Sequence, residues 1–191
     1  FPQRFRKYIS VIHDGIDTGV VCPDLDGFLT IDTREEGNIK LTRKDEIITF
    51  VNRNLEPYRG YHIFMRALPK LLESRPNARV LIVGGDGVSY GAKPNSDKTW
   101  KDIFIHEVKD QIKESDWKRV HFLGNIKYER FITLLQVSSV HVYLTYPFVL
   151  SWSLLEAMSV GCTIVASNTK PLHEAINHDE TGRLVDFFDI D

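Results

Sequence analysis

The chain has 191 residues, of which 42% are hydrophobic and 26% are charged, a composition typical of folded globular domains and not of disordered or fibrous chains. Its formal net charge is -2, so no overall basic field favours a nucleic-acid partner. No apolar run approaches the roughly 20 residues that span a bilayer, and we expect one domain that buries a core of its own.

The cysteines indicate the cellular compartment of the protein, and the first residues indicate whether the chain is a fragment. Cys22 and Cys162 are the only cysteines and have no close-spaced partner, so the sequence predicts neither a disulfide framework nor a zinc site. Such a chain fits a reducing cytoplasm best. It begins with Phe1-Pro2-Gln3, without an initiating Met or a signal peptide, and we expect a fragment of a longer protein.

The first 45 residues are predicted to hold little regular structure. Residues 8–12 are typical of a short strand, which would end in a polar turn around Gly15. The segment from there to about Lys44 is rich in turn residues and predicts a long loop. We therefore predict a single domain over residues 1–191, with an opening strand and loop over about 1–45 and the main core over 46–186.

Strands and helices alternate through the predicted core. The predicted strands cover residues 46–51, 78–83, 119–123, 139–145, 162–166 and 183–185. The predicted helices follow Gly60 and cover about 99–114, 128–137, 151–160 and 171–176. This alternation predicts an α/β fold, a doubly wound, Rossmann-like parallel sheet with helices on both faces.

The helix predicted over residues 151–160 contains an isolated acid. Glu156 is the single charge among apolar neighbours such as Leu155 and Ala157, and burying a carboxylate alone costs roughly several kcal/mol. Two interpretations stay open: Glu156 points through a gap to water, or it accepts hydrogen bonds from hydroxyls of a ligand. Ser151 is a suitable N-cap for this helix, whose free amides would attract anions.

Two arginines occupy a loop where ligands are expected. Ligands of doubly wound sheets bind beyond the carboxyl ends of the strands, and the loop after the 46–51 strand carries Arg53 and Arg59. Guanidinium groups suit phosphate oxygens, although a loop arginine is often simply solvated. Trp152, between Ser151 and Ser153, could stack on a sugar or belong to the core.

Other sequence motifs give only weak support to rival functions. Gly85-Asp86-Gly87 follows a strand, as in a dinucleotide-binding fingerprint, but the third glycine position holds Tyr90 and an insertion follows in place of a helix. A dehydrogenase domain and a non-catalytic flavodoxin-like module stay open as alternatives. The histidines lack metal-binding spacing and no nucleophile elbow is present, so we expect neither a metal site nor a hydrolase.

Several short motifs occur in a defined order. They are Val11-Ile12-His13-Asp14-Gly15-Ile16-Asp17, Arg53-Asn54-Leu55 with Tyr58-Arg59-Gly60, Val83-Gly84-Gly85-Asp86-Gly87, Val120-His121-Phe122-Leu123-Gly124, Leu154-Leu155-Glu156-Ala157-Met158 and Glu180-Thr181-Gly182-Arg183-Leu184-Val185. Each is weak alone, but in this order they resemble the C-terminal, donor-binding half of the group 1 (family 4 type) retaining glycosyltransferases. These enzymes have the two-domain GT-B fold, and the resemblance covers nearly the whole chain.

The resemblance implies a reaction and assigns roles. The enzyme would transfer a sugar from a nucleoside diphosphate sugar to an acceptor, with retention and without a metal or other cofactor. Arg53 and Arg59 would bind the diphosphate, helped by amides near Ser151 to Ser153. Glu156 would hold the ribose hydroxyls.

The base and sugar ends of the site are described less fully by the resemblance. The backbone around Asn125 and Ile126 would face the base. At the sugar end this chain has Phe148 where the family usually has a glutamate that contacts the donor sugar. Either Ser151 and Ser153 hold the sugar differently, or this branch of the family uses another donor.

The resemblance also implies a second domain. The acceptor-binding half of a GT-B enzyme precedes the donor-binding half, so we expect this chain alone to bind its donor weakly and to transfer nothing. Any association with a membrane surface would come through that other half. No nucleic-acid partner is expected.

Overall fold

Strands and helices alternate along the chain in a computed structural model, which describes residues 2–33 and 35–191. The strands are β1 (Phe28–Thr33), β2 (Gly37–Thr42), β3 (Ile47–Asn54), β4 (Arg79–Gly85), β5 (Val120–Gly124), β6 (Val140–Tyr143), β7 (Thr163–Ser167) and β8 (Arg183–Val185). The helices are α1 (Gln3–Arg6), α2 (Tyr61–Ser74), α3 (Trp100–Val108), α4 (Glu114–Trp117), α5 (Tyr128–Val137) and α6 (Trp152–Ser159). Short 3-10 turns cover Pro57–Arg59, Lys109–Gln111 and Lys170–Glu174.

Six strands form one parallel sheet in the order β5-β4-β3-β6-β7-β8. Successive residues of a strand point to opposite faces of the sheet, and two cores result. One core joins Ile47 and Leu81 to α5 and α6, and the other joins Ile48 and Ile82 to α2 and α3. Helices cover both faces, and the prediction of a doubly wound, Rossmann-like α/β sheet is confirmed.

Two predictions for the first 45 residues are wrong. Residues 8–12 form no strand. Val11 and Ile12 are 90% and 86% exposed, so their apolar side chains do not enter the core. The predicted long loop contains an antiparallel hairpin, β1–β2, whose inner residues Leu29 and Ile31 are buried in the same core as α5.

The strand order reverses beside β3. From β3 the chain proceeds outward to β4 and β5, then returns to β6 on the other side of β3 and continues to β7 and β8. The loops after β3 and β6 therefore diverge, and a crevice forms where doubly wound sheets bind ligands. The strand β3 is longer than predicted and includes Arg53 near its end, whereas Arg59 and residues 148–153 belong to these two loops or to the helix that follows.

Gly60 allows the loop after β3 to approach the end of β6. Its φ of +73° is left-handed, and a Cβ at this position would lie 2.2 Å from the Cβ of Leu144. Glycine alone adopts this conformation without strain and leaves the space free. The close contact holds the preceding residue, Arg59, beside the crevice.

Helix α3 is shorter than predicted but begins where expected, at a capping box. Thr99 Oγ1 accepts a hydrogen bond from the Asp102 amide at 3.1 Å, and the Asp102 carboxylate accepts one from the Thr99 amide at 3.2 Å. We expect Thr99→Ala to lower the free energy of unfolding by about 1 kcal/mol, because the first turn loses its cap. Urea unfolding measures this change. Thr99→Ser keeps the hydroxyl and should retain most of the stability, so equal losses in both variants would contradict a capping role.

His141 of β6 is a buried neutral histidine. Its side chain is 0% exposed, and Nδ1 lies 2.9 Å from Thr49 Oγ1. Nε2 has no hydrogen-bond partner within residues 2–33 and 35–191. Burial disfavours the charged ring and lowers the pKa of His141 to about 4.

This pKa predicts a loss of stability in weak acid. Below about pH 6.5, the ordinary histidine pKa, the unfolded chain takes up a proton that native His141 does not accept. The stabilisation is therefore complete above pH 6.5 and falls as the pH drops toward 4. Between pH 7 and pH 5 we expect His141 to lower the unfolding free energy by about 2 kcal/mol.

Urea unfolding at both pH values checks this expectation. In a His141→Asn variant, the difference in unfolding free energy between pH 7 and pH 5 should shrink by that amount. The exposed His106 provides a matched control, because His106→Asn should keep the wild-type difference. An unchanged difference in His141→Asn would contradict the assignment.

Candidate functional site

A cleft of about 410 Å³ opens at the carboxyl ends of β3, β4, β5 and β6. Its walls come from the loops after these strands and from the first turns of α5 and α6. The predicted site residues that line it are Arg53, Arg59, Asn125, Ile126, Ser151 and Ser153. The reversal of strand order thus brings together residues that are up to 100 positions apart in sequence.

Arg59 is half-buried in the cleft and is held by aromatic rings. Its guanidinium carbon lies 4.9 Å from the ring centroid of Tyr90 and 4.8 Å from that of Phe148. Nη1 donates to Thr145 Oγ1 at 3.3 Å and lies 3.5 Å from Tyr143 Oη. Burial raises the pKa of Tyr143, so this phenol stays neutral beside the cation.

The charge of Arg59 is not neutralised by the described part of the protein. No carboxylate there lies within salt-bridge distance of its guanidinium. Aromatic faces attract a cation without cancelling its charge. Arg59 is therefore an oriented cation that can bind an anion in the cleft.

Arg53 reaches the same cleft from the end of β3. Its side chain is exposed, and within residues 2–33 and 35–191 it forms no ion pair. Two guanidinium groups thus line one cavity, which favours ligands with several negative oxygens.

Glu156 lies behind the wall of the cleft. It is 7% exposed, and its Oε1 accepts a hydrogen bond from Tyr128 Oη at 2.8 Å. The hydrogen bond to the carboxylate raises the pKa of Tyr128, so the phenol keeps its proton. Oε2 forms no hydrogen bond with the described residues, and the low exposure does not fit the interpretation that Glu156 simply points to bulk water.

The loop after β5 forms another part of the wall. Asn125 and Ile126 follow this strand directly and line the cleft together with Tyr128. Tyr128 is half exposed, at 52%, and begins α5. Tyr128 therefore both lines the cleft and donates its hydroxyl hydrogen bond to the Glu156 carboxylate.

Helix α6 begins at the cleft with the predicted N-cap. Ser151 Oγ accepts a hydrogen bond from the Ser153 amide at 3.3 Å and lies 2.8 Å from Ser153 Oγ. Both serines line the cleft. The helix places the partial positive charge of its N-terminus at this wall.

Phe148 and Trp152 do not line this cleft. Both line an adjacent cavity of about 830 Å³, which shares Arg59, Tyr90 and Ser151 with the cleft. Trp152 is 58% exposed, so it is not a core residue, and its Nε1 donates to Asp14 Oδ1 at 2.9 Å. That hydrogen bond holds the pKa of the Asp14 carboxyl below its usual range.

Sequence reasoning missed three residues of the site. Tyr90 entered only as a wrong residue in a glycine fingerprint, and Tyr128 only as a helix start. Glu56 lies in the loop after β3, between Arg53 and Arg59, but its complete burial could not be inferred from a polar loop. An aromatic residue directly after a ligand-binding loop is the one available signal, and it applies to Tyr128.

The described residues include neither a metal-binding cluster nor a helix that could cross a membrane. Within residues 2–33 and 35–191, no group of three or more His, Cys, Asp or Glu side chains is arranged to hold a metal ion. The same residues include no helix with the length and apolar character needed to cross a membrane.

The fold defines a class of protein that solved structures share. The C-terminal domain of a glycosyl transferase group 1 family protein from Francisella tularensis superposes with a TM-score of 0.64 at 21% identity, over 90% of this chain and 80% of that chain. Anabaena HepE, solved in complex with UDP-glucose, superposes with a TM-score of 0.56 at 22% identity, over 75% of this chain and 35% of that chain. The fold is that of one half of a GT-B glycosyltransferase.

A family model identifies the family. The model for glycosyl transferases group 1 matches residues 32–191, and the chain belongs to this family. A D-inositol 3-phosphate glycosyltransferase from Corynebacterium efficiens is 30% identical over 183 residues, which is 95% of this chain and 40% of that protein. A phosphatidyl-myo-inositol mannosyltransferase from Mycolicibacterium smegmatis is 26% identical over 78% of this chain and 34% of that protein.

The family match has two consequences. The resemblance to the group 1 glycosyltransferases inferred from the motifs is confirmed, and the dehydrogenase and flavodoxin-like alternatives have less support. The chain spans about two fifths or less of the length of these curated relatives.

Proposed function

We propose that this chain is the donor-binding half of a retaining glycosyltransferase, and that its cleft binds a nucleoside diphosphate sugar. The observation that carries the proposal is the meeting of Arg53 and Arg59 in one cleft, whose wall is backed by the buried Glu156 and its hydrogen-bond partner Tyr128. Two cations suit a diphosphate, and a carboxylate behind a phenol suits ribose hydroxyls. Membership of the group 1 glycosyl transferases supports the same function.

In the proposed reaction, the cations act on the leaving group. As the bond between the sugar and the diphosphate breaks, negative charge builds on the diphosphate oxygens. Arg53, Arg59 and the N-terminus of α6 would stabilise that charge more in the transition state than in the ground state. The proposal assigns no step to a metal ion or other cofactor.

At the nucleoside end, Glu156 is proposed to accept hydrogen bonds from ribose. Oε1 already accepts from Tyr128, so Oε2 would take the ribose hydroxyl. Asn125 and Ile126 are proposed to face the base, since both line the cleft beside Tyr128. That Anabaena HepE was solved with UDP-glucose makes UDP the first nucleotide to test.

At the sugar end, the proposal uses the adjacent cavity. Phe148 and Trp152 line it, and Arg59 and Ser151 belong to both spaces. A sugar linked to a diphosphate at Arg59 would enter this cavity, where Trp152 offers an apolar face. The family's usual glutamate is Phe148 here, so Ser151, which lines both spaces, is the proposed hydroxyl contact, helped by Ser153 from the side of the cleft.

The rest of the proposal concerns the longer protein. Its curated relatives are more than twice the length of this chain, which supports an acceptor-binding half outside it. We therefore expect the isolated chain to bind its donor weakly and to transfer no sugar, and any membrane-surface contact to come through the other half. A cytoplasmic location is part of the proposal, because Cys22 and Cys162 are free thiols.

Calorimetric titration of the chain tests the proposal. UDP, GDP and ADP are titrated first, followed by the glucose and mannose derivatives of any that bind. At least one nucleoside diphosphate should bind, and Arg59→Ala should weaken it. Absence of binding for all three would overturn the donor site, and steady sugar transfer by the isolated chain would overturn the claim that it is half of an enzyme.

A further inference from the structure

Glu56 is a completely buried acid in the loop after β3. Its side chain is 0% exposed, and its carboxylate accepts hydrogen bonds from three consecutive backbone amides. The distances from its oxygens are 3.1 and 3.2 Å to the Ser89 amide, 3.2 and 3.3 Å to that of Tyr90, and 3.0 Å to that of Gly91. Such charge-assisted bonds compensate for the loss of water around the acid.

These bonds fix the segment that carries the Tyr90 ring. Tyr90 and Phe148 have centroids 4.8 Å apart, and both rings lie within 5 Å of the Arg59 guanidinium carbon. Tyr58 packs against both rings at 6.1 Å. Glu56, three residues before Arg59, thus connects the loop after β4 to the cation of the cleft.

We propose that Glu56 and Tyr90 are positioning residues for Arg59: Glu56 holds the loop, and Tyr90 with Phe148 holds the guanidinium in its binding orientation before any ligand arrives. An arginine side chain that is ordered on binding costs roughly 0.5–1.5 kcal/mol, and a preformed orientation avoids this cost. The inference rests on the proposed function only for the identity of the anion. The positioning itself is a property of the unliganded chain.

The first measurement follows the Arg59 side chain directly. The faces of two aromatic rings shield a guanidinium, so the Arg59 Nε–Hε signal in a nitrogen–proton NMR spectrum should lie upfield of ordinary arginine signals. Its absence in Arg59→Lys assigns the signal. Glu56→Gln and Tyr90→Leu should each move it downfield, whereas Tyr90→Phe, which keeps the ring, should leave it in place.

A matched control separates positioning from general stability. Glu46→Gln makes the same chemical change at an ion pair with Arg75, 2.5 Å apart and outside the cleft. It should leave the Arg59 signal unchanged even if the protein loses some stability. Tyr90 is 46% exposed, so Tyr90→Leu should still fold if Glu56→Gln does not.

The second measurement is calorimetric titration with UDP. Glu56→Gln and Tyr90→Leu should each weaken UDP binding roughly 2- to 12-fold, the range that the ordering cost converts to at 1.4 kcal/mol per tenfold. Glu46→Gln, which lies outside the cleft, should bind UDP as the wild type does.

The outcomes test two claims separately: the positioning of Arg59 and the existence of the donor site. An Arg59 signal that stays in place in Tyr90→Leu, or in a folded Glu56→Gln, overturns the positioning role. A moved signal with wild-type UDP affinity also overturns it, because the orientation would then not matter for binding. If the wild type binds none of UDP, GDP and ADP, the donor site fails, while the NMR comparison still supports or overturns the positioning of Arg59.

Discussion

Arg59→Ala in the full-length enzyme is expected to lower kcat about 100- to 1000-fold, the usual cost of removing one preorganised donor that stabilises developing charge. Arg59 is oriented by two rings and a hydroxyl and carries an unpaired charge among the described residues. It would act mainly on the charge that appears as the diphosphate leaves. The same substitution should weaken UDP binding by this chain only about tenfold, or roughly 1.4 kcal/mol.

Steady-state kinetics with the identified donor and calorimetry with UDP make the comparison. Arg59→Lys keeps the charge but loses the planar fork, so its kcat should lie between those of the wild type and Arg59→Ala. Arg66→Ala removes an arginine that pairs with Glu107 outside the cleft and should change neither value. Equal losses of kcat and affinity in Arg59→Ala would contradict the prediction, and weaker UDP binding with an unchanged kcat would mean that Arg59 contributes uniform binding.

The sheet was predictable because its strands are buried on both faces. Parallel strands of this kind are short continuous apolar runs, as in residues 80–83, and the intervening helices have their own period. The hairpin β1–β2 has one buried face, with exposed and buried residues alternating over residues 28–32, but the many turn residues around it favoured a loop. Residues 8–12 show the opposite error, because an apolar run gives no information on whether a neighbouring strand is present to pair with it.

The candidate site was predictable where a rule connects chain position to place in the fold. Arg53 lies near the end of a central strand and Arg59 in the loop after it, and the strand-end rule places both at the crevice. Glu56 follows no such rule. Its partners are backbone amides 33 to 35 residues away. Nearly every residue has a backbone amide, so the residue types in the sequence do not indicate which amides bind the acid.

The role of Phe148 could not be predicted from the sequence either. The sequence identified it as a departure at the sugar end of the site. Its contact with the Arg59 guanidinium, at 4.8 Å, depends on how the loops after β3 and β6 pack across the sheet. A cation–aromatic contact between two loops has no spacing in sequence, so it emerges only from the folded chain.

Glu156→Gln is expected to weaken UDP binding by about 10- to 150-fold and to leave the binding of 2′,3′-dideoxy-UDP almost unchanged. Hydrogen bonds to a charged acceptor are worth about 1.5–3 kcal/mol, which converts to this range. Because Oε1 already accepts from Tyr128, the ribose contact would use Oε2. Glutamine keeps the side-chain volume but loses the charge, and either its oxygen or its amide group must then face the ribose.

Calorimetry with both nucleotides separates the ribose contact from effects on the fold. Glu107→Gln, a surface acid that pairs with Arg66, should bind both nucleotides as the wild type does. If Glu156→Gln weakens both nucleotides equally, Glu156 acts through the packing of α6 and not through ribose, and the prediction fails. If only UDP is weakened, the difference between the two nucleotides measures the contact between the carboxylate and the hydroxyls, because every other part of the ligand is the same in both titrations.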